Sequence, residues 1–150
     1  MGKRRRSRVL EFWRGLFGRA KANDDAPFEV NGSAGGHDVN KRKVVLRNTR
    51  GADDWRYLSA SLSENGTLLI EGQDLGSGVE AHFGRGEREY EWAWTIRPQD
   101  VPKLALALGV KTEDVLEGLA AEFSGDAAAG LKLFLDAGSI PHEVWSRVGD

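Results

Sequence analysis

The sequence predicts an α+β domain: a four-stranded antiparallel β-meander followed by three C-terminal helices packed on one sheet face. Three observations predict it. EREYEWAWTIR alternates at period two, with Tyr90, Trp92, Trp94 and Ile96 on one face and Glu89, Glu91, Ala93 and Thr95 on the other. Asn65-Gly66 stands between two strand-like runs, the pattern of a hairpin turn. After Pro98 the spacing changes to helical, and a sheet followed by helices argues for a layered α+β fold.

The elements follow in order. KRKVVLRNTR is the first strand, with Val44 and Leu46 alternating against Val45 and Arg47. GADD is a turn. WRYLSASLS is the second strand, with Leu58, Ala60 and Leu62 on one face and Trp55, Tyr57, Ser59 and Ser61 on the other. TLLIEGQ returns as the third strand, with Leu68 and Ile70 facing the core. DLGSGVEAHFGRGE reads as a connector containing one short helical turn over Gly78 to Phe83, capped by Asp74 or Ser77 and ended by Gly84. The aromatic strand from Glu87 to Arg97 is the fourth, because aromatic side chains suit a pleated, half-buried surface. Burying each aromatic contributes about 1.5–3 kcal/mol, enough to anchor a small core.

Asp100 is placed to cap VPKLALALG, with Pro102 in its first turn and Gly109 after its end. Thr112 is placed to cap TEDVLEGLAAEF, whose apolar stripe is Val115, Leu116, Leu119 and Phe123. Asp126 is placed to cap AAAGLKLFLDAG, with Leu131, Phe134 and Leu135 inward. Ile140-Pro141 then leads to a final turn carrying Val144, Trp145 and Val148.

The net charge of −2 conceals a division along the chain. Residues 1–21 carry eight basic side chains and one acid, for +7; the other 129 residues carry 13 basic and 22 acidic side chains, for −9. Residues 1–22 read as a basic amphipathic arm in which Val9, Trp13, Leu16 and Ala20 recur at helical spacing among arginines. Its expected contacts, through Arg4, Arg5, Arg6, Arg8, Trp13 and Arg14, are an anionic membrane surface or nucleic-acid phosphates. A solubilising arm or a mis-assigned start are the plainer readings. Arg6 stands where a myristoylation signal needs Ser or Thr, and Arg14 and Arg19 break any secretory apolar core. Residues 23–40, rich in Gly, Asn and Asp, read as a flexible linker, with an end-to-end distance on the order of 20–25 Å. Residues 41–150 form the single α+β domain. The expected location is cytoplasmic, peripheral to the inner face of the membrane if the arm binds it.

Catalytic signals are sparse. There is no cysteine, which excludes disulfides, thiolate metal sites and a cysteine nucleophile. His37, His82 and His142 lie far apart, without metal-ligand spacing. Glycines at 72, 76, 78, 84 and 86 lack a P-loop lysine and a GxGxxG setting, and turns in a meander explain them better. No cofactor is expected. The densest polar group is Glu71, Gln73, Asp74, Glu80 and His82 with the acids of the fourth strand. A solvated acidic face is its simplest reading, and such a face recruits basic partners. Trp55 and Tyr57 share a strand face, either as an exposed aromatic pair of the kind enriched at binding hot spots or buried under a helix or loop.

LLIEGQDLGSGVEAHFG followed by EYEWAWTI resembles small uncharacterised bacterial proteins with an IEGQDLG segment before an EYE(W/Y) strand. The resemblance covers Lys43 to Gly109 and singles out Glu71 to Gly76 and Glu89 to Glu91. It implies a domain boundary and brings no activity with it. The function expected is therefore a non-enzymatic interaction module, its acidic body binding a protein partner. The alternative is a small hydrolase or transferase using Asp74, Glu80 and His82 in the connector at 71–86.

Overall fold

A computed structural model describes residues 42–149. The basic arm, the linker and His37 lie outside the described residues. The order is β1 (Arg42–Arg50), β2 (Asp54–Leu62), β3 (Leu68–Gly76), α1 (Ser77–Phe83), β4 (Glu89–Ile96), α2 (Val101–Leu108), α3 (Val115–Phe123), α4 (Leu131–Ala137) and β5 (Glu143–Gly149). Two 3₁₀ turns, Thr112–Asp114 and Gly125–Gly130, lead into α3 and α4. The fold is α+β, as the alternating and helical periods predict, but the antiparallel sheet has five strands, in the order β1-β2-β3-β4-β5.

The fifth strand corrects the expected terminal turn. Glu143–Gly149 returns from the helices and pairs along β4, with Trp94 opposite Val144, Ala93 opposite Trp145 and Tyr90 opposite Val148. β4 is thereby an inner strand with a neighbour on each side, which is why its whole aromatic row is sealed.

One sheet face carries the core. Leu58, Ala60, Leu68, Ile70, Trp92, Trp94 and Ile96 are buried there under Val101, Leu104, Val115, Leu119, Leu131 and Leu135 of α2, α3 and α4. The four helical-stripe residues of α3 are all buried, as their spacing predicts. Trp92 and Trp94, two residues apart on one strand, stack with ring centroids 4.3 Å apart. Gly72 lies directly opposite Trp92, and a Cβ at Gly72 would stand 2.1 Å from the indole ring. A glycine there is a socket for the tryptophan. It is not a turn residue.

Three helix starts differ from their expected capping. The α1 N-terminus is closed from β2: the Asp54 carboxylate accepts the Gly78 N–H at 2.9 Å and the Ser77 hydroxyl at 3.3 Å. The expected caps Asp74 and Ser77 do not serve, because β3 runs on through Asp74 to Gly76. Thr112 and Asp126 sit inside the 3₁₀ turns and cap nothing. Asp100 holds the N-cap position of α2 without a side-chain capping bond, while Gly109 ends that helix in the left-handed region at φ 71°. The hairpin at Asn65-Gly66 forms as expected, with the Asn65 side chain accepting the Thr67 N–H at 3.0 Å and Gly66 at φ 86°.

β1 departs from simple alternation. Its register skips Leu46, so that Val45 faces Ser59 and Arg47 faces Leu58. This bulge turns Arg47 toward the helices, where its Nε donates to the Gly125 carbonyl at 3.3 Å.

Candidate functional site

The face of the sheet opposite the helices is covered by no described element. Strand register determines which side chains stand on it. One row across all five strands reads Val45, Ser59, Glu71, Ala93, Trp145. The next reads Asn48, Tyr57, Gln73, Glu91, Arg147, and beyond it come Arg50, Trp55, Leu75 and Glu89. Four of the sequence-expected interaction residues, Trp55, Tyr57, Glu71 and Gln73, are thus brought together on one surface.

Their surroundings divide by charge. On the β1 side, Trp55 and Tyr57 lie 5.7 Å apart between ring centroids, with Arg50 5.4 Å from the Trp55 ring and Lys43 5.6 Å from the Tyr57 ring. Trp55 also donates its indole N–H to the Asn48 side chain at 2.8 Å. Cations over aromatic faces attract them, and both rings remain partly exposed. On the β4 side, the Gln73 amide donates to Glu89 at 2.6 Å and to Glu91 at 3.4 Å. Arg147 of β5 reaches the same two carboxylates, at 3.1 Å for Glu91 and 3.5 Å for Glu89.

Glu71 differs from its neighbours. It is half-buried in the central strand, yet no hydrogen bond or ion pair among the described residues engages its carboxylate. It stands between two small residues, Ser59 and Ala93. The hydroxyls of Ser59 and Ser61, each 1% exposed, also find no hydrogen-bond partner among the described residues. Buried polar groups ordinarily have partners, which makes the Ser59 and Ser61 hydroxyls the unusual feature of this face.

Asp74 is on the other face. It stands opposite Arg56 on β2 and Tyr90 on β4, and is only 7% exposed. Burial pushes its pKa up to about 6, against the opposing pull of the Arg56 and Arg47 cations. Burial likewise lowers the Arg47 pKa, offset in part by the Asp74 charge. The Tyr90 pKa is raised by burial, with a side-chain hydrogen bond to Ser146 working the other way. This is a charge-compensated edge of the core.

Glu80 and His82 belong to α1. Glu80 accepts the Gly86 N–H at 3.3 Å and lies 3.8 Å from Arg88, which also binds Asp53 at 2.8 Å. His82 is exposed, its ring edge-on to Phe83 at 4.8 Å. Asp74 thus sits at the core edge beside Tyr90, whose ring packs on Phe83 at 5.0 Å, while Glu80 and His82 stand on α1. Among the described residues no group of three or more acidic or histidine side chains is arranged to hold a metal ion, and no helix is long and apolar enough to cross a membrane.

From sequence, Trp145 falls in a terminal turn and Arg147 is not singled out, yet both complete the open face from β5. VWSRV carries no clean apolar alternation, and its partner strand lies far away in sequence. No protein-family model, curated protein or solved structure matches this chain, so the open face of the sheet is assigned on its geometry alone.

Proposed function

We propose that the domain is a non-enzymatic protein-interaction module that receives a basic partner on the open face of its sheet. The observation that carries this reading is Glu71: a half-buried carboxylate with no described partner, at the centre of a five-strand row, flanked by Ser59 and Ala93. Its strand neighbours are small, Tyr57 stands in the adjacent row, and Trp145 ends the same row on β5. An arginine or lysine side chain laid there would form a charge-assisted hydrogen bond in a partly desolvated setting, with aromatic walls to cover its stem. Such bonds are worth about 1.5–3 kcal/mol, which suits a specificity contact. Trp55 and Val45 supply apolar area on the same surface, and aromatic anchors dominate binding energy at interfaces.

Screening an array of peptides against the purified protein tests the idea. Cationic peptides should be retained, and Glu71→Gln should weaken them at least tenfold without moving the melting temperature. Trp55→Ala should weaken them as well. Equal retention by wild type and Glu71→Gln would remove this face from the binding site.

A further inference from the structure

We propose that β5 is a self-pairing edge, and that two copies join through it across a two-fold axis perpendicular to the sheet to make one continuous sheet.

The two edges of the sheet are built differently. β1 carries the cations Arg42, Lys43 and Arg50, with Arg47 turned toward the helices, and is interrupted by the bulge at Val45–Arg47. Charge and bulge are the usual protections of an exposed edge. β5 has neither. Its register against β4 is unbroken over seven residues, and Val144, Trp145 and Val148 are 58%, 54% and 37% exposed. Its two charged side chains lean back onto the parent sheet. Glu143 binds Arg97 at 2.9 Å, and Arg147 binds Glu91 at 3.1 Å. Both charges are thus partnered within the parent sheet.

The occupant follows from the sequence of the strand, which is complementary to itself when reversed. With the two-fold at Ser146, Val144 meets Val148 of the second copy, Trp145 meets Arg147, and Ser146 meets Ser146. Val144 and Val148 then gain apolar neighbours, and Trp145 gains the stem of Arg147 on its own face, as antiparallel register requires. Val144 and Val148 lie on the helix side, because they stand opposite Trp94 and Tyr90. Trp145 lies on the open side. The axis keeps both helical layers on the same face of a ten-stranded sheet, five from each copy. Pairing β5 to the β1 of another copy would propagate without end, whereas β5 to β5 closes and leaves two protected β1 edges outermost.

The chain has no cysteine, which makes the test direct. Residues directly opposite across antiparallel strands have Cα atoms about 4.5–5.5 Å apart, within disulfide reach. Ser146→Cys should therefore form a covalent dimer on mild oxidation. Leu133→Cys, at a site of 61% exposure on α4, serves as the control for chance collision and should remain mostly uncrosslinked. Wild type should sediment as a dimer that dissociates on dilution. Val144→Lys/Val148→Lys, which sets like charges opposite one another, should be monomeric with an unchanged circular dichroism spectrum. A monomeric wild type throughout the dilution series, equal crosslinking of the two cysteine variants, or a dimer that survives the double lysine variant would each overturn the proposal.

Discussion

At the scale of single residues, Asp74 has the clearest thermodynamic consequence. Its carboxyl is held near pKa 6 in the folded chain against an ordinary value of 3.8. Between those pH values the folded protein keeps a proton that the unfolded chain has released. The resulting stabilisation is complete below about pH 4 and is lost as pH rises through about 6. At about 1.4 kcal/mol per pKa unit, it amounts to about 3 kcal/mol. Urea denaturation across this range should show wild-type stability falling with pH, and Asp74→Asn should flatten that slope. A wild-type curve that rises over the same interval would mean that the Arg56 and Arg47 pairing outweighs burial. Residue identity also explains why IEGQDLG reads as it does: Gly72 admits Trp92, Asp74 balances Arg56 and Arg47, and Gly76 at φ 114° ends the strand beside the Asp53 carbonyl.

At the scale of elements, the β3–β4 pair is fitted around the Trp92 ring. Its fit depends on one missing side chain, since a Cβ on Gly72 would overlap the Trp92 ring at 2.1 Å. Gly72→Ala should lower stability by about 1–3 kcal/mol, as overpacking in closed cores does. Thermal unfolding would register that loss. Adding Trp92→Leu should recover part of it, giving a non-additive pair. If the single variant melts with wild type, the contact is more yielding than the geometry indicates. The same register accounts for what period two made legible. Trp55, Tyr57, Glu71 and Gln73 share a face because strand side chains alternate, and Asp74 falls on the opposite face for the same reason. Placing Asp74 in a connector came from ending β3 too soon, at Gln73. Helix caps were the least legible detail. Asp54 closes α1 from a neighbouring strand, and a cap donated across the sheet leaves no local pattern to read.

At the scale of the whole molecule, charge divides the chain between an arm of +7 at residues 1–21 and a remainder of −9. An arm of that charge should carry the full chain to anionic vesicles in a flotation assay, increasingly so at low salt, while a chain lacking residues 1–21 stays in the aqueous fraction. A gel shift with duplex DNA instead of flotation would assign the arm to phosphates of nucleic acid. Neither signal would leave it as a solubilising extension.

The sequence by itself determined the α+β class, the aromatic core row of β4, the Asn65-Gly66 hairpin and the apolar stripe of α3. Each follows from local periodicity or turn chemistry, which act over a few residues. Tertiary structure alone decided that Glu143–Gly149 is a strand, because its hydrogen-bonding partner lies more than 45 residues away and its side chains are too exposed to write an apolar pattern. It alone decided that Arg47 turns inward, since a bulge is defined against the neighbouring strand. It alone put Asp74 on the helix side of the sheet, and assembled Glu71, Tyr57 and Trp145 from three strands into one surface. Chemistry that depends on distance through space is set by register and packing, and those are properties of the folded chain.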